Sequence, residues 1–269
     1  YNCSFCTIPM ARGKSRSDNI SNVLENARML ADKGVKEIVL TGVNLGDFGK
    51  GPEGNRKHEE SFYDLVRALD DVEGIERFRI SSIEPNLLTN DIIAFVANSR
   101  KFMPHFHITL QRGSNTLLSL MRRRYKRELY ADRVALIKKL MPHCSIGADV
   151  IVGFPGESEE LFRETFDFLH SLDVSYLHVF TYSERANTVA LDITPVVPVH
   201  TRHERNKSLR NLSYMKQQYF REQHAGQTRK VLFEGHEKNG MMEGYTDNYI
   251  RISTPFREEW VNSLVDWAI

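Results

Sequence analysis

Two cysteines near the start of the chain have a type and spacing that suggest chemistry. Cys3 and Cys6 form a C-x-x-C pair, and two thiolates at this spacing can bind a soft metal centre from a single turn. Taken alone, the pair also fits half of a zinc site, a redox pair or two ordinary thiols. The third cysteine, Cys144, lies beside an apolar stretch and is expected in the core.

The elements that must position these cysteines are short apolar runs that alternate with amphipathic stretches. The predicted strands cover residues 37–41, 78–82, 105–110, 145–152 and 176–182. The predicted helices cover residues 20–33, 61–71, 90–97, 128–140 and 158–172. Ser17 or Asp18 is expected to cap the first helix, and Gly34 to end it. This alternation predicts a parallel sheet covered by helices, in a closed or partial barrel or an open doubly wound sheet.

Polar residues and glycines directly follow the predicted strands. They occupy residues 41–44, 82–85, 111–114 and 153–156. Because ligands bind at the carboxyl ends of strands in parallel sheets and barrels, these segments are expected to line a site. His105 and His107 lie two residues apart in a predicted strand, which indicates alternating strand positions rather than metal ligands.

The composition is that of a globular protein with local concentrations of charge. Of the 269 residues 41% are hydrophobic, the formal net charge is +1, and no apolar run reaches the roughly 18 residues of a membrane span. Three cysteines exclude a disulfide framework and no signal peptide is visible, so we expect a cytoplasmic protein without membrane contact. Residues 201–230 carry eight Lys or Arg against two acids, and residues 122–127 carry five. Such clusters contact phosphates or form solvated helix faces.

The strand–helix alternation stops near residues 194–200, where two prolines mark a boundary. A long polar helix is predicted over residues 201–224, and β patterns punctuated by glycines follow at residues 230–234 and 245–253. Such short strands predict a small barrel, which is a common nucleic-acid-binding shape. We therefore expect three parts, namely a strand–helix domain at 1–200, a basic linker helix at 201–225 and a small β-barrel at 226–269.

The residues after Cys6 resemble part of a known enzyme family. Residues 7–17, which read TIPMARGKSRS, are similar to the loop after the cluster cysteines in radical S-adenosylmethionine (SAM) enzymes of the methylthiotransferase family. That family carries C-x-x-x-C-x-x-C, in which Cys3 and Cys6 match the second and third cysteines. The first would fall two residues before Tyr1. Because the chain begins with Tyr rather than Met, we expect that this cysteine and other upstream sequence are absent.

The resemblance extends over nearly the whole chain. The segments that resemble strand ends of the family are residues 39–46, 105–123, 147–157 and 178–185. Residues 226–269 resemble its RNA-binding TRAM domain, whereas Arg112 departs from the pattern, which has a small residue, often Ser, at that position. The implied fold class is α/β, with an N-terminally truncated radical SAM partial (β/α) barrel followed by a small all-β TRAM-type RNA-binding barrel.

The resemblance implies a [4Fe–4S] cluster held by Cys3, Cys6 and the absent cysteine, with SAM at the open iron. One electron from the cluster then cleaves SAM to methionine and a 5′-deoxyadenosyl radical. A second [4Fe–4S] cluster belongs to an N-terminal domain of the family that lies outside this chain. No side chain is implied as a catalytic acid, base or nucleophile. The implied SAM contacts are Phe5, Gly42, Asn44, Ser82, Glu84, Gln111, Val152 and Gly153. Gly42 and Gly153 also fit tight turns, and Phe5 also fits a core position.

The implied activity is the insertion of sulfur and a methyl group at C2 of threonylcarbamoyladenosine beside the tRNA anticodon. Residues 7–13, 81–85 and 178–183 look most like this branch of the family. The expected substrate-binding cations are Arg12, Arg16 and Arg185, which would meet the threonyl carboxylate or bind phosphate. The implied partners are tRNA and an electron donor protein. The alternatives are activity on isopentenyladenosine tRNA, activity on a ribosomal-protein aspartate, and a non-catalytic zinc- and RNA-binding protein.

Overall fold

A computed structural model describes residues 2–54 and 59–269, and its first five strands form one parallel sheet. They are β1 (Glu37–Leu40), β2 (Arg77–Ile80), β3 (His105–Gln111), β4 (Ser145–Val152) and β5 (Tyr176–Thr181). β1 pairs with β2, and β3, β4 and β5 pair in that order. Parallel bridges from Phe78 to Phe102 and from Ile83 to Ile108 join the two groups. The strands therefore lie side by side in chain order.

Helices cover one side of this sheet. The described helices are α1 (Ile8–Arg12), α2 (Ile20–Asp32), α3 (Phe62–Asp70), α4 (Asn90–Asn98), α5 (Asn115–Leu120), α6 (Arg127–Leu140), α7 (Glu159–Ser171) and α8 (Val199–Glu222). All of them except α1 and α5 contribute side chains to the apolar core on this side. Right-handed crossovers between neighbouring parallel strands place the connecting helices on the same side, which we call the outer face. Phe106, Ile108 and Val150 share one apolar core there with Leu69 and Ile137. This arrangement is the predicted partial barrel, and the opposite side is its inner face.

The predicted strands and helices of the barrel lie within two residues of the observed ones. The predicted cap of α2 is wrong, because Asn19 is the capping residue and its side chain accepts the Asn22 N–H at 2.8 Å. Asp18 instead accepts a hydrogen bond from the Asn22 side chain at 2.7 Å. Gly34 follows the end of α2 with a φ of 80°, as predicted. Cys144 is fully buried, as predicted, and burial raises the pKa of its thiol to about 12.

The basic helix predicted after the barrel is α8, but its charges are not all available to a partner. Arg202 is buried and donates to Glu184 at 2.6 Å and to the Val197 carbonyl at 2.8 Å. Arg205 is also buried and forms an ion pair with Glu159 at 3.1 Å. These arginines fix α8 against the barrel instead of forming a solvated basic face. Within residues 2–54 and 59–269, no helix is both long enough and apolar enough to span a membrane.

The C-terminal part forms an antiparallel sheet. Its strands are β6 (Thr228–Phe233), β7 (Met241–Thr246), β8 (Arg251–Pro255) and β9 (Leu264–Ala268), in the order β8-β7-β6-β9. The single strand predicted over residues 245–253 is wrong, because a turn separates β7 from β8. The Thr246 N–H donates to the Ile250 carbonyl at 3.0 Å across this turn, and Tyr249 has a φ of 67°. The described strands form an open four-stranded sheet where the sequence predicted a small barrel.

Two buried arginines join this sheet to the amino end of the inner face. Arg77 donates to the Lys230 carbonyl at 2.7 Å, and Arg79 donates to the Asp247 carbonyl at 3.1 Å. Glu37 of β1 pairs with Arg79 at 3.0 Å. The Tyr249 ring lies 5.0 Å from the Arg79 guanidinium. The turn between β7 and β8 therefore forms a floor beneath the inner face.

We expect Glu37→Gln to destabilise the protein by about 3 kcal/mol, because it removes the carboxylate that faces two buried guanidinium groups. Arg77 and Arg79 are 3% and 2% exposed, and they lie 3.8 Å and 3.0 Å from Glu37. Urea unfolding followed by circular dichroism measures the change. The matched control is Glu25→Gln, at an exposed position of α2, with a change of less than about 0.5 kcal/mol. Equal stability of the two variants would contradict a stabilising role of the Glu37 carboxylate beside Arg77 and Arg79.

Candidate active site at the carboxyl ends of the strands

The loop that carries the two cysteines is anchored through Ser4. The Ser4 hydroxyl donates to the Leu120 carbonyl at 2.8 Å, and its N–H donates to the Met121 carbonyl at 3.3 Å. The Ser4 carbonyl accepts the Ala190 N–H at 2.9 Å. Leu120 and Ala190 follow β3 and β5, so the loop lies at the carboxyl ends of these strands. Cys3 and Cys6, both partly exposed, flank this anchor.

Arg123 connects Cys3 to the barrel. Its guanidinium donates to the Cys3 Sγ at 3.1 Å and to the Glu84 carboxylate at 2.7 Å. Burial raises the pKa of the Cys3 thiol, and Arg123 opposes this rise without cancelling it. A positive group at this distance stabilises a thiolate, which is the form that binds metal. The arrangement therefore brings Glu84, a predicted site residue, into the surroundings of Cys3.

Several buried polar atoms near the carboxyl ends of the strands lack a hydrogen-bond partner within the described residues. They are Asn44 Oδ1, Glu84 Oε2, Gln111 Oε1 and Ser114 Oγ. Because buried polar groups in proteins are nearly always hydrogen-bonded, such a group of atoms indicates a surface built for a ligand. Gln111 also has a φ of 66°, a strained backbone conformation that is enriched at functional sites. The sequence named Asn44, Glu84 and Gln111 as SAM contacts, and Ser114 lies in the segment at residues 111–114 that was expected to line the site.

The remaining predicted SAM contacts have different surroundings. Gly42 is exposed and Ser82 is partly buried, each just after a strand. The Phe5 ring packs edge-on against Phe154 with centroids 6.2 Å apart. Val152 belongs to the apolar core of the outer face, so only its backbone can face a ligand.

Gly153 has a φ of 75°, and its N–H donates to the Glu157 carboxylate. A Cβ at this position would lie 2.3 Å from the Arg202 side chain, so only glycine fits this close approach.

Arg112, the departure from the family pattern, is fully buried and pairs with Glu157. Burial lowers the pKa of Arg112, and Glu157 opposes that decrease. The same carboxylate pairs with Arg205 at 3.1 Å and accepts the Gly153 N–H. Arg112 therefore helps to hold the turn after β4.

The predicted substrate-binding cations lie on three different segments of the chain. Arg12 lies at the end of α1, Arg16 lies in the following loop and Arg185 lies after β5. All three are exposed, and within the described ranges none forms an ion pair or hydrogen bond with Cys3 or Cys6.

The structure adds a polar cluster on the inner face that the sequence did not predict. His105 and His107 occupy alternate positions of β3, as predicted, and both face inward. His107 Nε2 lies 2.7 Å from Asp149 Oδ1, and His178 Nδ1 lies 3.6 Å from the same oxygen. The sequence contained one indication of this cluster, which is Asp149 within the otherwise apolar run of β4. Only the register of the sheet places Asp149 beside the two histidines.

The donor set at the mouth fits an iron–sulfur centre. Cys3 and Cys6 are soft ligands at a suitable spacing, and the unpartnered polar atoms described above fit a polar cofactor beside it. Cys144 is fully buried in the outer core and cannot join them. The described residues therefore supply two of the three thiolates that a cluster with one open iron requires.

A family profile and curated relatives match this chain. The profile described as the Radical SAM superfamily matches residues 1–169. The threonylcarbamoyladenosine tRNA methylthiotransferase MtaB of Bacillus subtilis (strain 168) is 39% identical over 268 residues, which cover 98% of this chain and 58% of that protein. The protein of the same name from Aquifex aeolicus (strain VF5) is 41% identical over 250 residues, with 93% and 58% covered.

A relative named for a different substrate is also similar. The tRNA-2-methylthio-N(6)-dimethylallyladenosine synthase of Clostridium tetani (strain Massachusetts / E88) is 34% identical over 269 residues, with 99% of this chain and 58% of that protein covered. The chain therefore spans less than two thirds of the length of these curated relatives.

Solved structures share the fold at low sequence identity. The radical S-adenosylmethionine methyltransferase TsrM from Kitasatospora setae has a TM-score of 0.55 and 19% identity, covering 67% of this chain and 34% of that one. The coproporphyrinogen III oxidase HemN from Escherichia coli has a TM-score of 0.55 and 15% identity, covering 81% and 50%. At these identities the likeness concerns the fold alone.

We expect Arg123→Met to raise the pKa of the Cys3 thiol further, because it removes the cation that opposes the effect of burial. The pH midpoint for alkylation of Cys3 by iodoacetamide should rise, so that less thiolate is present at a fixed lower pH. Peptide mass spectrometry at a series of pH values measures the midpoint. Arg122→Met, at the exposed neighbouring arginine, serves as the control and should leave it unchanged. A midpoint that stays constant or falls in Arg123→Met would contradict this account.

Proposed function

The chain belongs to the radical SAM superfamily, and from that premise we propose that it is part of a tRNA methylthiotransferase. The proposed reaction adds sulfur and a methyl group at C2 of threonylcarbamoyladenosine beside the anticodon. The observation that carries the proposal is the pair Cys3 and Cys6, held at the carboxyl ends of the strands beside a group of unpartnered polar atoms. The names of the relatives from Bacillus subtilis and Aquifex aeolicus support the substrate.

In this proposal Cys3 and Cys6 hold a [4Fe–4S] cluster together with a thiolate from outside the chain. When bound, the cluster and SAM supply a one-electron cleavage that yields a radical able to remove hydrogen from a C–H bond. Asn44, Glu84 and Gln111 present oxygen acceptors to the amino and hydroxyl groups of SAM. A second [4Fe–4S] cluster outside this chain and an electron donor protein complete the proposed enzyme.

The RNA surface is proposed on residues whose charge is free to meet phosphate. Four of the eight basic residues between 201 and 230 are exposed, namely Lys207, Arg210, Arg221 and Lys230. We assign these, with the sheet at 226–269 as a TRAM-type module, to the tRNA backbone. The exposed Arg12, Arg16 and Arg185 are assigned to negatively charged groups of the same substrate. The division into parts at residues 1–200, 201–225 and 226–269 belongs to this proposal.

The alternative substrate is isopentenyladenosine in tRNA, since the Clostridium tetani relative is named for a dimethylallyl group on N6 of adenosine. A ribosomal-protein aspartate and a non-catalytic zinc-binding role are the remaining alternatives. The structure places a carboxylate and two histidines on the inner face, and such polar walls favour a polar substituent over an apolar one.

We expect the full-length enzyme, reconstituted anaerobically with iron and sulfide, to convert tRNA bearing threonylcarbamoyladenosine to the 2-methylthio form. Nucleoside mass spectrometry of equimolar mixtures of the two modified tRNAs measures the preference, and we expect at least about tenfold for threonylcarbamoyladenosine. A double Cys3→Ser and Cys6→Ser variant is the control and should give no product and no SAM cleavage. Preferential modification of isopentenyladenosine tRNA or of ribosomal protein would contradict the proposed substrate. Zinc without iron or sulfide would contradict the enzyme class.

A further inference from the structure

The middle of the inner face carries a polar cluster whose residues have no individual role in the proposed reaction. It consists of His107 on β3, Asp149 on β4 and His178 on β5, whose ligating atoms all lie within 4.8 Å of one another. His107 is buried, Asp149 is partly buried and His178 is exposed. The rings of His107 and His178 lie 4.8 Å apart. The cluster therefore forms a wall with a buried base and an open edge.

Hydrogen bonds hold the buried base of the cluster in one arrangement. A carboxylate only accepts, so His107 donates its Nε2–H to Asp149 Oδ1 at 2.7 Å. His107 Nδ1 then accepts from the Tyr176 hydroxyl at 3.2 Å, and that hydroxyl accepts from His105 Nε2 at 2.8 Å. Burial would raise the pKa of Asp149, but hydrogen bonds from the two neighbouring histidines lower it to about 2. Asp149 therefore presents a fixed carboxylate to the inner face.

The depth of the cluster is set by the strands that carry it. Asp149 lies four residues before Gly153, and His178 lies three residues before Thr181 at the end of β5. At about 3.3 Å per residue, both lie on the order of 10 Å below the carboxyl ends of the strands. Tyr249 stacks on His105 with centroids 4.1 Å apart and forms the floor. The cluster thus lies between the cysteine loop at the mouth and the aromatic floor.

The geometry of adenine connects this depth to the proposed reaction. C2 and C6 are the two carbons that flank N1 of the six-membered ring, so the C2–H and C6–N6 bonds diverge. An adenine whose C2–H points to the mouth therefore directs its N6 substituent away from the mouth and against the inner face, where the cluster lies. A threonylcarbamoyl substituent carries an N–H, a hydroxyl and a carboxylate, whereas a dimethylallyl substituent offers no hydrogen bond.

We infer that Asp149 and His178 are specificity-determining residues that bind the hydrogen-bonding groups of the N6 substituent of the substrate adenosine. Asp149 accepts from the substituent's N–H or hydroxyl, and His178 donates an imidazole N–H to its carboxylate. A dimethylallyl group at the same place would cover Asp149 and His178 without giving either of them a further hydrogen bond, at an energetic cost. This inference rests on the proposed function, because it assumes that C2 is the reacting position.

The same three side chains could instead bind a divalent metal. The hydrogen bond from His107 to Asp149 at 2.7 Å argues against this, because the proton lies where the ion would bind both groups. Stoichiometric Co²⁺ binding is therefore one outcome of the test.

The test compares two variants of the full-length reconstituted enzyme. Asp149→Asn removes the charge at nearly constant volume, and His178→Phe removes the donor while keeping a ring at an exposed position. His170→Phe, at an exposed position of α7, is the matched control. For each enzyme kcat and KM are measured with tRNA bearing threonylcarbamoyladenosine and with tRNA bearing dimethylallyladenosine, and 5′-deoxyadenosine formation is measured without tRNA.

We expect kcat/KM for the threonylcarbamoyl substrate to fall at least about tenfold in Asp149→Asn and His178→Phe, mainly through KM. The preference for the threonylcarbamoyl substrate over the dimethylallyl substrate should fall as well. The rate of 5′-deoxyadenosine formation without tRNA should stay within about twofold of that of the unaltered enzyme. An unchanged preference in both variants would overturn the inference and leave the proposed function standing. Failure of the unaltered enzyme to modify either tRNA would instead overturn the proposed function. Stoichiometric Co²⁺ binding in the Cys3→Ser and Cys6→Ser background, lost on Asp149→Asn, would also overturn the inference.

Discussion

The guanidinium of Arg79 holds the two sheets of the molecule together. It bonds to Glu37 on the neighbouring strand, reaches the carbonyls of Thr246 and Asp247, and lies against the ring of Tyr249. Because helices cover only the outer face of the barrel, the inner face needs other partners at its amino end. Arg79 meets that need with backbone carbonyls from the C-terminal sheet. The C-terminal sheet is therefore a structural part of the barrel as well as a proposed RNA contact.

Polar character changes along the inner face from floor to mouth. At the floor, the charge of Arg79 is paired and hydrogen-bonded, so this level is structural. At the middle, Asp149 is fixed by His107 while His178 stays exposed. At the mouth, buried oxygens lack a partner in the described part of the chain, and Cys3 lies beside Arg123. Unsatisfied polar groups thus increase toward the end where strands in such barrels bind ligands.

Local sequence patterns predicted most elements of the barrel. Periodicity located the five strands and five of its helices within two residues, because those patterns depend on near neighbours in sequence, whereas the short helices α1 and α5 were not predicted. All four residues that carry the unpartnered oxygens at the mouth lie in segments that follow the predicted strands. The turn at 246–250 was missed because its apolar flanks, Tyr245 and Ile250, continue the appearance of one strand.

Contacts between distant parts of the chain could not be predicted in this way. Arg123 lies 120 residues from Cys3, and Arg79 lies 167 residues from Thr246. The basic composition of α8 suggested a solvated face, yet Arg202 and Arg205 are buried in ion pairs. Composition gives the number of charged residues but not their ion-pair partners. The partners of Arg202 and Arg205 are identified only by the folded structure.

Isotope labelling of the substrate adenosine tests most directly whether the hydrogen at C2 is removed by the radical from SAM. The full-length enzyme would be supplied with SAM and with tRNA whose threonylcarbamoyladenosine carries deuterium at C2. We expect the deuterium to appear in the 5′-deoxyadenosine released together with the methylthio product, whereas deuterium placed at C8 stays in the RNA. Product formation with the C2 deuterium lost to water, or with unlabelled 5′-deoxyadenosine, would contradict hydrogen removal from C2 at the mouth of this barrel.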